Sequence, residues 1–255
     1  GNTLPLQDYA STSEVVMNSD VIRVFIGYDA VESVAWHTMA ESIYRQSSRP
    51  VAIVPINLAN LKHVYTRPRD PRQSNEFSLS RFLVPHLCNY EGTGIFFDCD
   101  MMLRTDIAEI FSVMEQQPDK AVYVVKHTYE PREGIKYLNT VQYKYPRKNW
   151  SSVVLWNCAH PANKTVTPEF VNKVEPLALH RFTWLEDEEI GELDVRWNWL
   201  VGEYDDPPKD VKNVHWTVGG PYFHEYTDAD FAEEWFDERN RMQYCLQRQP
   251  HKASA

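Results

Sequence analysis

The chain has 255 residues, 43% hydrophobic and 13% aromatic, which suffices for one large α/β domain or two small ones with a sizeable core. Its 26 basic and 36 acidic residues give a formal net charge of −10, which argues against non-specific binding to a nucleic-acid backbone but leaves room for a local basic pocket. No apolar run reaches the roughly 18 residues of a membrane span, and the four scattered cysteines form no CxxC pair, which excludes a disulfide framework and a cysteine zinc site.

With no signal peptide visible, a cytoplasmic chain is expected. Residues 1–20 are polar and aperiodic and are read as a flexible lead-in. A run rich in β-formers, Val21 to Gly27, predicts a strand, and the spacing of Val34, Met39 and Ile43 predicts a helix over 33–45. Val51–Ile56 follows as a strand, then a loop over 59–75 carrying Arg67, Arg69 and Arg72. Further elements are a helix over 77–87, a strand over 95–97, a helix over 107–114 and a strand over 121–125. This alternation predicts a mainly parallel central sheet flanked by helices. The second half is less regular, with a strand at 153–156, short helices at 168–173 and 184–190, a strand at 214–217 and a terminal helix over 231–245. We expect one domain over 21–248 and a disordered tail over 249–255.

The most informative stretch is Ile95-Phe96-Phe97-Asp98-Cys99-Asp100. Side chains alternate along a strand, so Asp98 and Asp100 aim two carboxylates at one point and Cys99 points away. Two like charges that close repel unless a cation lies between them, and a hard divalent ion with oxygen ligands meets that need. His215, in Val214-His215-Trp216-Thr217, can complete such a site as a neutral imidazole; the same residue also fits a structural role. Gly219 and Gly220 follow it and would let backbone amides approach a phosphate. Gly27-Tyr28-Asp29 ends the first strand, where open parallel sheets bind ligands, and Tyr28 fits either a stacking platform or an exposed loop. Arg81 offers a fork matched to phosphate or sugar hydroxyls, and equally a surface ion pair. The acidic run Glu186 to Glu189 fits a solvated helix face or a carboxylate in a cleft.

Taken in order, Ile26-Gly27-Tyr28-Asp29, the Arg81 segment, Phe97-Asp98-Cys99-Asp100, Leu185 to Ile190 with Trp197-Asn198, and His215 before a glycine turn resemble a GT-A-fold glycosyltransferase of the family 8 type. Runs such as Phe77-Ser78-Leu79-Ser80-Arg81-Phe82 and Asn149-Trp150-Ser151-Ser152 also resemble a bacterial and phage group of such enzymes. The resemblance implies a single Rossmann-like α/β domain that moves a sugar from a nucleoside diphosphate donor, UDP-linked in this family, to a hydroxyl acceptor with retention of configuration. It implies Mn2+ or Mg2+ on Asp98, Asp100 and His215. It implies donor contacts by Gly27, Tyr28, Asp29, Arg81, Phe97, Asp98, Asn157, Gly219 and Gly220, with Asp187 and Glu188 at the reaction centre. Two positions depart from the family: Glu188 stands for its glutamine, and Gly219-Gly220-Pro221 lacks its lysine. The missing cation falls to Arg67, Arg69, Arg72, Lys126 or Arg132. A nucleotidyltransferase or a non-catalytic carbohydrate-binding protein stays open as an alternative. So does the acceptor, whether glycan, protein, small molecule or modified base, with nucleic acid disfavoured by the chain's acidity.

Overall fold

The computed structural model describes residues 21–128 and 147–243. The expected lead-in over 1–20, the tail over 249–255, Cys245 and Arg132 lie outside the described residues. A six-stranded sheet forms the centre, from β1 (Ile22–Gly27), β2 (Val51–Ile56), β3 (Thr93–Phe97), β5 (Val122–Val124), β6 (Val153–Asn157) and β7 (Ile190–Glu192), in the order β2-β1-β3-β6-β5-β7. The β1–β2, β1–β3 and β5–β7 pairs are parallel, and β6 alone runs against its neighbours β3 and β5. The sheet is therefore mainly parallel. A second sheet of three short strands, β4 (Met101–Leu103), β8 (Trp199–Leu200) and β9 (Asn213–His215), has the order β4-β9-β8.

Burial explains the strand sequences. β1 and β3 are covered on both faces, with Ile22, Val24, Ile26, Ile95, Phe96 and Phe97 almost fully buried, and so they read as largely apolar runs, interrupted near their starts by the partly exposed Arg23 and Thr93. β2 is an edge strand, which is why Pro55 is tolerated there. The helices are α1 (Ser33–Gln46), α2 (Val84–Leu87), α3 (Ser112–Gln116), α4 (Pro168–Lys173), α5 (Pro176–His180) and α6 (Ala232–Gln243). α1 and α6 are joined by Arg45, whose guanidinium makes bonds of 2.7–3.0 Å to the buried Glu238 carboxylate. Among the described residues no helix is long and apolar enough to cross a membrane.

Several elements depart from expectation. The helix predicted over 77–87 is broken into a 3-10 turn, Ser80–Leu83, and the single-turn α2. Pro85 lacks the N–H that a continuous helix would use and instead sits in the first turn of α2. The helix predicted over 107–114 starts as a 3-10 turn, Ile107–Phe111, before α3. The segment predicted helical over 184–190 contributes only the turn Asp187–Glu189 and then becomes β7.

The reversal of β6 positions the site. Phe97, last in β3, pairs with Val153, first in β6, while Thr93 pairs with Asn157. The residues entering β6 therefore lie beside those leaving β3. The second sheet adds the next constraint: β4 starts one residue after Asp100, and Met101 pairs with His215.

A Cβ at Gly27 would lie 2.2 Å from the Phe77 ring, and that ring packs under the Arg81 guanidinium at 5.3 Å. Gly27→Ala is expected to cost about 1–3 kcal/mol through overpacking, read as a lower urea midpoint. An unchanged midpoint would show that Phe77 can move away freely.

Candidate functional site

Asp98, Asp100 and His215 converge on the wall of an open cavity of about 510 Å³. One ligand atom from each lies within 4.8 Å of the others. His215 Nε2 stands 3.3 Å from Asp100 Oδ1 and 3.9 Å from Asp98 Oδ2. Backbone bonds hold the strands that carry them. The Trp216 N–H donates to the Asp100 carbonyl at 3.0 Å, and the Asp98 N–H donates to the Ser152 carbonyl at 3.1 Å. Cys99, between the acids, faces the core and is fully buried.

Arg81 is the buried cation of this wall. Its guanidinium lies 2.6 Å from Asp98 Oδ1, donates to the Ser78 and Ser151 carbonyls at 3.0 Å each, and is flanked by the rings of Phe77 and Phe96. Burial pushes the Asp98 carboxyl up to about 6; Arg81 opposes the shift and Asp100 adds to it. Burial would lower His215, but Asp100 and Asp98 beside it hold its pKa above the usual imidazole value. Burial also raises Glu32, which accepts a 2.6 Å bond from the Tyr222 hydroxyl.

The imidazole is held from behind. His215 Nδ1 is 2.9 Å from Asn198 Oδ1, while Asn198 Nδ2 donates to Ser152 Oγ at 2.8 Å and faces His127 Nε2 at 3.1 Å. His127 Nδ1 in turn contacts the Tyr204 hydroxyl. Burial lowers His127 to about 3, so it stays neutral. A third imidazole, His180, lines the cavity with its two nitrogens on Ser151 Oγ (2.9 Å) and Ser78 Oγ (3.3 Å) and is lowered to about 3 by burial.

These residues suit a divalent cation. Two carboxylates and an imidazole form a mixed oxygen and nitrogen donor set. Asp100 Oδ1 is buried with the His215 ring 3.3 Å away, and Thr217 Oγ1 on the same wall is buried without a partner. A buried carboxylate oxygen beside a second carboxylate is the environment a cation relieves.

Of the residues singled out in the sequence, the structure brings Arg81, Asp98, Asp100 and His215 together. Asn157 lies elsewhere: the antiparallel course of β6 carries it to the far end of the strand from Val153, where it pairs with Thr93 and donates to the Lys120 carbonyl. Ser151 and Ser152 occupy the site end instead. Gly219 and Gly220 do not line the cavity. Their missing side chains make room for the rings of Tyr226 and Tyr222, each 2.1 Å from where a Cβ would stand. Phe97 is a core side chain. Asp29 is buried, and its two oxygens accept from the backbone N–H groups of Val31 and Glu76, clasping two loops. Tyr28 packs edge-on against Trp36. Glu188 is exposed, and Asp187 accepts a 2.5 Å bond from Arg147, itself a cavity residue.

Of the cations proposed from sequence, those among the described residues do not line the cavity. Arg67 is bound by the Val171 and Val174 carbonyls, Arg72 pairs with Asp70, and Lys126 lies over the Trp150 ring. Among the described residues, the arginines and lysines lining the cavity are Arg81, Arg147, Lys148 and Arg181. Sequence reasoning missed Ser152, His127, Asn198 and His180 as site residues. Asn149-Trp150-Ser151-Ser152 and Trp197-Asn198 had drawn notice as runs without a role for these side chains.

No known protein-family profile matches the chain. It is 46% identical over 222 residues to Protein CDI of Arabidopsis thaliana, covering 85% of each chain, and it belongs to that protein's family. Solved structures share its fold at low identity. The bifunctional glycosyltransferase WbbM superposes with a TM-score of 0.59 at 15% identity, covering 86% of this chain and 49% of its own. The glycosyltransferase GlyE of Streptococcus pneumoniae gives 0.57 at 13%, covering 92% and 66%. The galactosyltransferase LgtC gives 0.54 at 11%, covering 91% and 98%. The chain thus spans about half of WbbM and nearly all of LgtC, and its fold is of the GT-A type.

The raised pKa values fix a sign. The folded protein keeps protons on Asp98 and Glu32 that the unfolded chain releases near pH 4, so their contribution to stability falls as pH rises, for Asp98 through about 6. The raised His215 contributes below about 6.5 and loses that contribution as pH climbs through its higher folded value. All three signs agree. The stability of the metal-free protein relative to an Asp98→Asn variant is expected to fall between about pH 4 and pH 6, read by paired urea melts. A flat difference would contradict the assigned environment.

Proposed function

We propose that this member of the Protein CDI family is a glycosyltransferase that moves a sugar from a nucleoside diphosphate sugar to a hydroxyl acceptor, using a divalent cation held by Asp98, Asp100 and His215. The observation that carries the reading is the convergence of these three side chains, delivered by two sheets, on an open cavity of about 510 Å³. That volume is within the range of small-molecule sites. The GT-A fold, shared with a galactosyltransferase crystallised with donor and acceptor sugar analogs, supports the same reaction class.

When bound, the cation, Mn2+ or Mg2+, supplies positive charge that stabilises a departing diphosphate. The chain's own groups do the rest. Arg81 holds the Asp98 carboxylate in place. Arg147, Lys148 and Arg181 bring positive charge to a cavity whose chain lacks the family lysine, so phosphate oxygens are met from this side. Neutral His180, with Ser78 and Ser151, offers donors and acceptors to sugar hydroxyls. Asp187, held at 2.5 Å by the cavity residue Arg147, is the carboxylate we assign to stabilising a developing oxocarbenium ion. UDP as the donor nucleotide, base stacking on Tyr28 and retention of configuration follow from the resemblance to family 8.

A panel of nucleotide sugars assayed for Mn2+-dependent hydrolysis tests this reading, because slow donor hydrolysis needs no acceptor. We expect at least one UDP-sugar to be turned over, and Asp100→Ala to reduce that turnover to background while the variant melts cooperatively. Wild-type turnover by the variant with Mn2+ present would overturn the metal assignment. Silence across the panel, with no thermal shift by UDP and Mn2+, would overturn the enzyme reading.

A further inference from the structure

We propose that Asn198 is the positioning residue of the cation site: its amide fixes the His215 tautomer that turns the Nε2 lone pair toward Asp98 and Asp100, and it couples the strand bearing His215 to the segment that holds Asp98. The inference rests on the cation reading above and specifies how that site is built.

Asn198 is fully buried, so each of its polar atoms must be matched inside the protein. Its Oδ1 can only accept, and it stands 2.9 Å from His215 Nδ1. Nδ1 therefore carries the hydrogen, and Nε2 presents a lone pair to Asp100 and Asp98 at 3.3 and 3.9 Å. Three acceptors then converge, an arrangement that only a cation or a proton makes favourable.

The amide nitrogen uses both hydrogens. One goes to Ser152 Oγ at 2.8 Å and the other to His127 Nε2 at 3.1 Å. His127 accepts there, so its own hydrogen sits on Nδ1 and faces the Tyr204 hydroxyl. Ser152 closes the loop: its carbonyl accepts from the Asp98 N–H at 3.1 Å. One side chain thus touches the imidazole directly and reaches the carboxylate strand through a single intermediary. Outer partners of this kind orient metal-binding histidines and set their tautomer. The opposite amide orientation would move the hydrogen to Nε2 and leave an ordinary His–Asp contact with no ligand lone pair.

Two measurements decide between these. In the metal-free 15N-labelled protein, two-bond nitrogen–proton correlations at about pH 9, well above the usual imidazole pKa, should show His215 as the Nδ1–H tautomer. An Nε2–H tautomer overturns the proposal, whatever the metal does. Calorimetric Mn2+ titration should then show Asn198→Leu binding about 10–100-fold more weakly than the parent. Asn198→Asp, which keeps the acceptor, should retain the Nδ1–H tautomer and bind Mn2+ more tightly than the leucine variant. Affinity of Asn198→Leu within about twofold of the parent, below the usual outer-partner effect, also overturns it. If Asn198→Leu does not fold, the tautomer of the parent decides alone. A parent that binds no Mn2+ sinks the cation reading itself, and the tautomer remains decisive for Asn198.

Discussion

Two carboxylates held within a few ångströms in a largely buried wall repel each other strongly, and the chain places one fixed cation, Arg81, against one of them. Much of the neighbouring sequence serves that placement. Arg81 can be buried only because the Ser78 and Ser151 carbonyls and the faces of Phe77 and Phe96 receive its guanidinium. Phe77 can reach that position only because residue 27 has no Cβ. Gly27, which looked like part of a ligand loop, acts on the site through Phe77 and Arg81. The ion pair answers half of the repulsion. The other half, at Asp100, is left to a proton on His215 or to a cation in the cavity.

What the sequence made legible follows from what periodicity and spacing encode. β1, β2 and β3 are buried or edge strands of five or six residues, long enough for their composition to stand out. The i, i+2 spacing of Asp98 and Asp100 is a local geometric fact that survived folding. The strands β4 and β8, with three and two residues, are too short to show a pattern. They exist because neighbouring strands supply hydrogen bonds, a tertiary cause invisible to a local window. β7 was masked by the acidic run before it, whose Glu186 and Glu189 close a capping box around a single turn.

The site residues divide along the same line. Asp98, Asp100, Arg81 and His215 are chemically conspicuous types at marked positions. Asn198, Ser152 and His127 became site residues only through contacts spanning 17 to 77 positions of sequence. Gly219 and Gly220 show the converse failure. Paired glycines after a histidine suggest a phosphate cradle, but here they seat two tyrosines, and one of these hydrogen-bonds the half-buried Glu32 beside the acidic site.

The direction of β6 decides which of its ends can do chemistry. Run parallel, β6 would present Asn157 to the end of β3, as the family pattern suggested. Running antiparallel, it presents Ser151 and Ser152 there, and this exchange brings three separate groups to one place. The Ser151 carbonyl receives Arg81, the Ser152 carbonyl receives the Asp98 amide, and the Ser152 hydroxyl receives Asn198. The second sheet is tied to the first here by other means, because among the described residues β4, β8 and β9 share no strand pairing with the larger sheet. Chain continuity through Cys99 and Asp100 sets one connection between the sheets, and the Ser152–Asn198 bond sets another. With both in place, His215 faces the two acids as a consequence of strand register.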